Sequence, residues 1–389
     1  MRHLPSDPDA LWRDPAQVAS LWNEATDVDP RLLRHRVLGD WWDLLADLNV
    51  QLVVTREYEH LLVTIGVDER RLPSQSFFPI PHPSGLALRG DTLFVASTRN
   101  PNQVFEFKAV AGDGPWATDG APTMVPVRST MLPGRFYLHD LAFVGGVLHA
   151  NAVGLNSVVR LEEALRGGTP SVVWWPRCVE VNGRAVTDRN YIQLNSIAAG
   201  ESLETSCFSA TADRMSTRRP GHRNFPVDKR GVIFAGKTGE PVLRGLTRPH
   251  TARFHGGRLW VDNSGYGEVG FAEGQQFVAL AKLPGWTRGL AFHRDVVFVG
   301  TSKVIPRFYR YAPGLDLAGS CCGVCAVDVR SGRTLGAIVW PDGNQIFAVE
   351  AVSDKARARF PYRVGHKRED PRSLFYSFRT REGGELFDD

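Results

Sequence analysis

From Gln51 onward, short apolar runs alternate with tight polar turns, and one phrase keeps returning. Across residues 134–155, GRFYLHDLAFVGGVLHANAVGL, the polar pair His139–Asp140 leads a short apolar strand. A Gly-Gly turn, a second strand and a polar exit at Asn151 follow. Period-2 runs of this length, punctuated by glycine, predict β-hairpins. Aligned on the first strand, the same head recurs as HPSGLAL (82–88), LHDLAF (138–143), LNSIAA (194–199), PHTARF (249–254), TRGLAF (287–292) and NQIFAV (344–349). The equivalent polar positions are Ser84, His139, Asn195, His250, Arg288 and Gln345, separated by 55, 56, 55, 38 and 57 residues.

Six such units form a closed repeat array. Third and fourth strands are visible in VCAVDV, the turn at 330–332 and TLGAIVW. Four strands per unit make the chain all-β, a six-bladed β-propeller. After Gln345 only IFAVEAV remains as a strand, whereas QLVVTREY, HLLVTIG and a strand near residues 75–79 lack an inner partner. One blade is therefore expected to close with strands from both chain ends, which removes an exposed sheet edge.

The flanks follow different patterns. Asp7-Pro8 and Asp14-Pro15 read as helix starts, and Leu33, Val37, Trp41, Leu44 and Leu45 fall at helical spacing. Residues 1–48 are read as a helical N-terminal extension packed on the propeller, 49–353 as the propeller and 354–389 as a polar C-terminal tail. The extension is too short to bury a core alone.

Composition narrows the function classes. The chain has 389 residues, is 43% hydrophobic and carries a net charge of +4 from 46 basic and 42 acidic residues. That balance does not mark a nucleic-acid groove. There is no apolar run of membrane-spanning length and no signal-peptide core, so no membrane association and a cytoplasmic location are expected. Five cysteines, an odd count, fit a reduced compartment. Cys322 and Cys325 sit three apart at the start of a strand, where they face opposite sides and are poorly placed to share a metal.

In a propeller, the starts of the innermost strands and the ends of the second strands meet at one mouth of the central channel. The six heads therefore converge, with Arg99, Asn151 and Asn263 among the second-strand exits beside them. A polar ring of this kind holds water or a ligand. His139 and His250 are candidates for proton transfer or for a divalent metal, Arg288 for clamping an anion, and Asn195 and Gln345 for orienting a substrate. Residues 211–230, TADRMSTRRPGHRNFPVDKR, read as a cationic lid over the mouth, with Arg219 among its cations, or as a solvated surface loop. No nucleotide or flavin motif appears.

PHTARFHGGRLWVDNSGYGEVGF (249–271), LPGWTRGLAFHRDVVFVGTSK (283–303) and CGVCAVDVRSGRTLG (322–336) resemble a bacterial family of β-propeller proteins classed as a domain of unknown function. The resemblance runs from about residue 49 to 353 and implies the fold rather than an activity. A His-Leu-Asn-Gly head usual in that family stands here as Gln193-Leu194-Asn195-Ser196, which keeps Asn195 and loses the histidine.

Two functions are expected of such a chain. The first is an enzyme acting on a small anionic metabolite or modified peptide by non-redox lyase, isomerase, cyclase or hydrolase chemistry. The second is a non-catalytic propeller presenting its face to a protein or peptide.

Overall fold

The structure is a computed structural model that describes residues 28–99, 102–110, 122–218, 220, 222, 224–353 and 357–363. The expected helix starts near residues 7 and 14, the tail beyond residue 363, and Arg219 lie outside the described residues. Among the described residues, no helix is long and apolar enough to cross a membrane.

Six sheets surround a central channel as a six-bladed β-propeller, as the repeat implies. Blade 1 runs from the inside outward as Ala348–Ser353, Val50–Arg56, Leu61–Val67 and Pro73–Pro79, with Tyr362–Arg363 as an outermost fifth strand. Its inner strand comes from the C-terminal side of the chain and pairs Ala348 with Thr55 and Ser353 with Val50. The ring is thus closed by both chain ends, as expected.

Blades 2 to 5 are four-stranded, and their inner strands are Pro83–Arg89, Leu138–Val144, Leu194–Ala198 and Ala252–His255. Blade 6 begins at Trp286–His293 and carries Arg36–Gly39 as an added fifth strand on Thr334–Val339.

That added strand changes the reading of the N-terminal stripe. Leu33 ends a short 3-10 helix, Val37 pairs with Ile338 in the sheet, and only Trp41–Leu48 is α-helical. The stripe still packs where expected: Leu33, Trp41 and Leu45 join Phe298, Ile338 and Trp340 in one buried cluster. Edge pairing won over helix for residues 36–39 because the outer edge of blade 6 offers unpaired backbone groups.

Hairpin turns join the inner and second strands. Gly145 and Gly146 have φ of 57° and 77°, the conformation that a two-residue turn between twisted strands requires. Between blades, side-chain hydroxyls bind the main chain where the next blade begins. Thr55 donates to Ser84 O (2.7 Å), Ser84 to Leu138 O (2.9 Å), Ser209 to His250 O (2.8 Å) and Ser264 to Thr287 O (2.7 Å). Ser302 donates to Ile346 O (3.1 Å) on the blade that closes the ring, and between blades 3 and 4 Ile197 N donates to the Asp140 carboxylate (2.9 Å) instead. Satisfied bonds of this kind hold the heads in register.

Candidate functional site

The heads sit on irregular backbone. In blades 2, 3, 4 and 6, the inner strand carries one residue more than its partner at the head, as where Leu194 faces Ala210 and Ser196 already faces Ser209. A bulge of this type re-aims the side chain it carries. Two residues before the head, His82, Tyr137, Gln193 and Arg248 all take left-handed backbone, with φ of 42°, 51°, 49° and 51°. Neighbouring side chains brace these costly conformations. Tyr137 N donates to Asn102 Oδ1 (2.7 Å), Gln193 N to Asn190 Oδ1 (2.7 Å) and His82 N to His60 Nδ1 (3.1 Å). Beside Arg248, Thr247 N donates to Asn263 Oδ1 (2.6 Å).

Tyr137, Gln193 and Arg248 open on a pocket of about 490 Å³ at one mouth of the channel. Three guanidinium groups, Arg99, Arg248 and Arg288, line it together with one carboxylate, Glu57. Tyr58, Tyr137, Trp286, Tyr311 and Phe347 supply aromatic surface, and His139, Gln193 and Gln345 supply neutral polar groups. Among the described residues of the 211–230 segment, Pro220 lines the pocket. Arg214 pairs instead with Asp213 at 3.4 Å on the exposed side.

The cations are unequally matched. Glu57 accepts from Thr98 Oγ1 (2.7 Å) and, with the Gln345 amide oriented to satisfy both neighbours, from Gln345 Nε2 (3.0 Å). Gln345 Oε1 in turn accepts from Arg288, and Arg99 Nε lies 3.7 Å from Glu57. Burial pushes the Glu57 carboxyl upward, opposed by Arg99, Thr98 and Arg288. Arg248 donates to the neutral Gln193 Oε1 (3.2 Å). Its guanidinium lies 4.5 Å from the Tyr311 ring centroid and 5.6 Å from that of Trp286. Arg288 packs on the same Trp286 ring at 5.2 Å. Burial and the neighbouring Arg288 pull Arg248 down to about 10, so it remains charged at neutral pH.

His139 forms part of the floor. Asn195 Nδ2 donates to Pro249 O (2.7 Å), which turns its Oδ1 toward His139 Nδ1 (3.1 Å). The proton of this imidazole therefore sits on Nδ1 and the lone pair on Nε2. Burial, reinforced by Arg288, pushes His139 down to about 3. His250 lies 5.8 Å from it, ring to ring, and Phe347 stands edge-on to both at 5.1 and 4.9 Å. Burial and Arg288 also hold His250 well below its ordinary value, so both rings are neutral at pH 7.

Arg99, His139, Arg288 and Gln345 thus share the pocket, Asn195 positions His139 from behind, and His250 lies beneath Phe347. Asn151 is buried in blade 3. Asn263 is occupied by Thr247 N and by the Glu268 carboxylate (2.8 Å). Among the described residues, no three His, Cys, Asp or Glu side chains come together as metal ligands. Sequence reasoning missed Glu57, Tyr58, Tyr137, Gln193, Arg248, Trp286, Tyr311 and Phe347. The signal for most of them was an offset: Tyr137, Gln193, Arg248 and Trp286 stand two residues before a head, and Phe347 two after.

Fold and pocket define the class: a six-bladed propeller with a cationic, aromatic-walled cavity at one channel mouth. Residues 39–360 match the family described as domain of unknown function DUF4915, and the chain belongs to that family. No curated protein matches the sequence.

Solved structures with a similar fold include a chain of a nidogen/laminin complex, with 9% identity and TM-score 0.50 over 80% of this chain and 99% of that one. A putative 6-phosphogluconolactonase from Bacteroides uniformis has 10% identity and TM-score 0.41 over 76% and 84% of the two chains. A gluconolactonase from Xanthomonas campestris has 14% identity and TM-score 0.41 over 76% and 86%. At these identities the likeness is one of fold alone.

Proposed function

We propose that this protein binds a small anionic molecule in the channel-mouth pocket and transforms it by non-redox chemistry of the lyase, isomerase, cyclase or hydrolase type. The observation that carries the proposal is Arg248. It is a buried guanidinium whose hydrogen bond goes to a neutral amide, beside a second buried guanidinium, Arg288, that likewise bonds an amide. Buried charge is costly without a counter-charge, and a bound anion would supply one.

Acid and base groups stand in the same pocket. Glu57, a carboxylate steadied by Thr98, Gln345 and Arg99, and the neutral imidazole of His139 are the titratable groups placed to meet a bound substrate.

The test is a thermal-shift screen of the full chain against small carboxylic acids and phosphates, repeated with Arg288→Ala. Stabilisation of the wild type that the variant loses supports the proposal. If no acid or phosphate stabilises the wild type while a protein partner co-purifies with it, the pocket reading fails and a protein-binding propeller replaces it.

A further inference from the structure

The reading of the pocket as an anion site can be taken further, to the charge and shape of what it holds. We infer that the ligand is a dianion, a phosphate monoester or a dicarboxylate with a flat, ring-sized body, its charged end seated on Arg248 and Arg288. The inference rests on the anion-site reading above and on three observations.

The first is charge count. Among the described lining residues, three guanidinium groups face one carboxylate, an excess of two positive charges. Glu57 is already engaged, with Arg99 at 3.7 Å and Arg288 reached through Gln345. A monoanion would leave one buried cation uncompensated, whereas a dianion matches the excess.

The second is convergence. Arg248 and Arg288 both pack on Trp286, at 5.6 and 5.2 Å from one ring centroid, so their charges share a platform and repel each other. A group with several acceptor oxygens can bridge two guanidinium forks, and each fork offers paired N–H donors to it. Arg248 Nη1 and Arg288 Nε, both buried, make no hydrogen bond among the described residues.

The third is the remaining space. A bare phosphate occupies a small part of a cavity of about 490 Å³. The rest is walled by Tyr58, Tyr137, Tyr311 and Phe347, whose faces and edges suit a flat body. Arginines stacked on aromatic rings are also held in place before the ligand arrives, which lowers the ordering cost of binding.

The experiment is a calorimetric titration of the full chain, at constant ionic strength and about pH 7.5 where a phosphate monoester is mostly dianionic. The probes are phenyl phosphate, phthalate, benzoate, inorganic phosphate and benzyl alcohol. Phenyl phosphate or phthalate should bind at least about tenfold more tightly than benzoate and than inorganic phosphate. Whichever of the two binds more tightly identifies the charged end. In Arg248→Met the advantage over benzoate should shrink to within about threefold, a loss of roughly one charge-assisted contact.

Benzoate equal to phenyl phosphate in the wild type would overturn the dianion inference while leaving the anion site standing. Inorganic phosphate equal to phenyl phosphate would overturn the flat body. Binding of benzyl alcohol alone, or of no probe, would remove the anion site together with the inference. The wild-type ladder decides these outcomes even if Arg248→Met does not fold.

Discussion

Asp140 stands next to a head residue and looks, in sequence, like half of a catalytic pair. Its surroundings assign it another job, and Asp140→Asn tests that assignment. The carboxylate grips Arg253 with both oxygens, at 2.8 and 3.0 Å, and accepts from Ile197 N (2.9 Å) and Leu141 N (3.1 Å). One side chain of blade 3 thereby joins main chain of blade 4 and a side chain of blade 5. Asparagine keeps one acceptor oxygen but removes the charge and turns an N–H₂ group toward donors.

Removing one partner of a buried ion pair typically costs 3–5 kcal/mol, because the other charge stays buried. The Arg253 side chain is 21% exposed, and Glu350 lies near enough to favour its charge, so the low end, about 3 kcal/mol, is expected. Urea unfolding of the wild type, Asp140→Asn, Arg253→Met and the double variant measures both the loss and the coupling. The double variant should be less destabilised than the sum of the singles by about 2 kcal/mol. A single-variant loss below about 1 kcal/mol, or full additivity, would refute the staple.

Other consequences follow from burial and close packing. Asp262 is buried, and its Oδ1 accepts from His250 N, Thr251 N and Ser264 Oγ, while burial raises its carboxyl to about 7. A folded-state value above the unfolded one means that stability is lost as pH rises from about 4 to 7. Asp262→Asn should remove that slope and gain up to about 4 kcal/mol relative to wild type between pH 4 and 8, read by urea melts at both ends; an unchanged difference would exclude the effect. His139 acts with the opposite sign. Its folded value of about 3 lies below the unfolded one, so its contribution is full above about pH 6.5 and is lost as pH falls toward 3. Nitrogen chemical shifts should show a neutral ring with its proton on Nδ1 at pH 5, and a protonated ring there would contradict the packing. Gly85→Ala would place a Cβ 2.5 Å from Asp140 Cα, between the inner strands of blades 2 and 3. It should cost about 1–3 kcal/mol in chemical denaturation, and a neutral result would show that the inner strands yield.

The ring was legible because its signal is a repeat. Six heads at regular spacing, glycine turns such as Gly145–Gly146 and an unpaired strand at each end determine a closed propeller before any contact is known. What the pattern hid depends on backbone conformation and on insertions. Val37 keeps helical spacing with Leu33 and Trp41 yet pairs with Ile338, because spacing over four residues cannot register a waiting sheet edge. Arg248 and Tyr137 stand two residues outside the recurring head, so the repeat does not mark them. Their left-handed backbone has no signature when the residue is not glycine. Tyr311 comes from the excursion between the second and third strands of blade 6, where no other blade supplies a template.

At Ser84 and Asn195 the head serves the scaffold, whereas the heads His139, Arg288 and Gln345 line the pocket themselves. On their bulged strands Ser84 spends its hydroxyl on Leu138 O, and Asn195 spends its amide on His139 and Pro249 O, which ties them to the neighbouring blades. Changing them disturbs closure of the ring. Tyr137, Gln193 and Arg248, each two positions before a head, sit outside the sheet ladder, with their backbone braced by Asn102, Asn190 and, beside Arg248, Asn263. Their side chains are free to face the pocket. Where scaffold ties and pocket contacts fall on different residues of one strand, specificity can change without reopening the ring. Blade 4 shows this over three residues: Gln193 holds Arg248, while Asn195 anchors the inner layer.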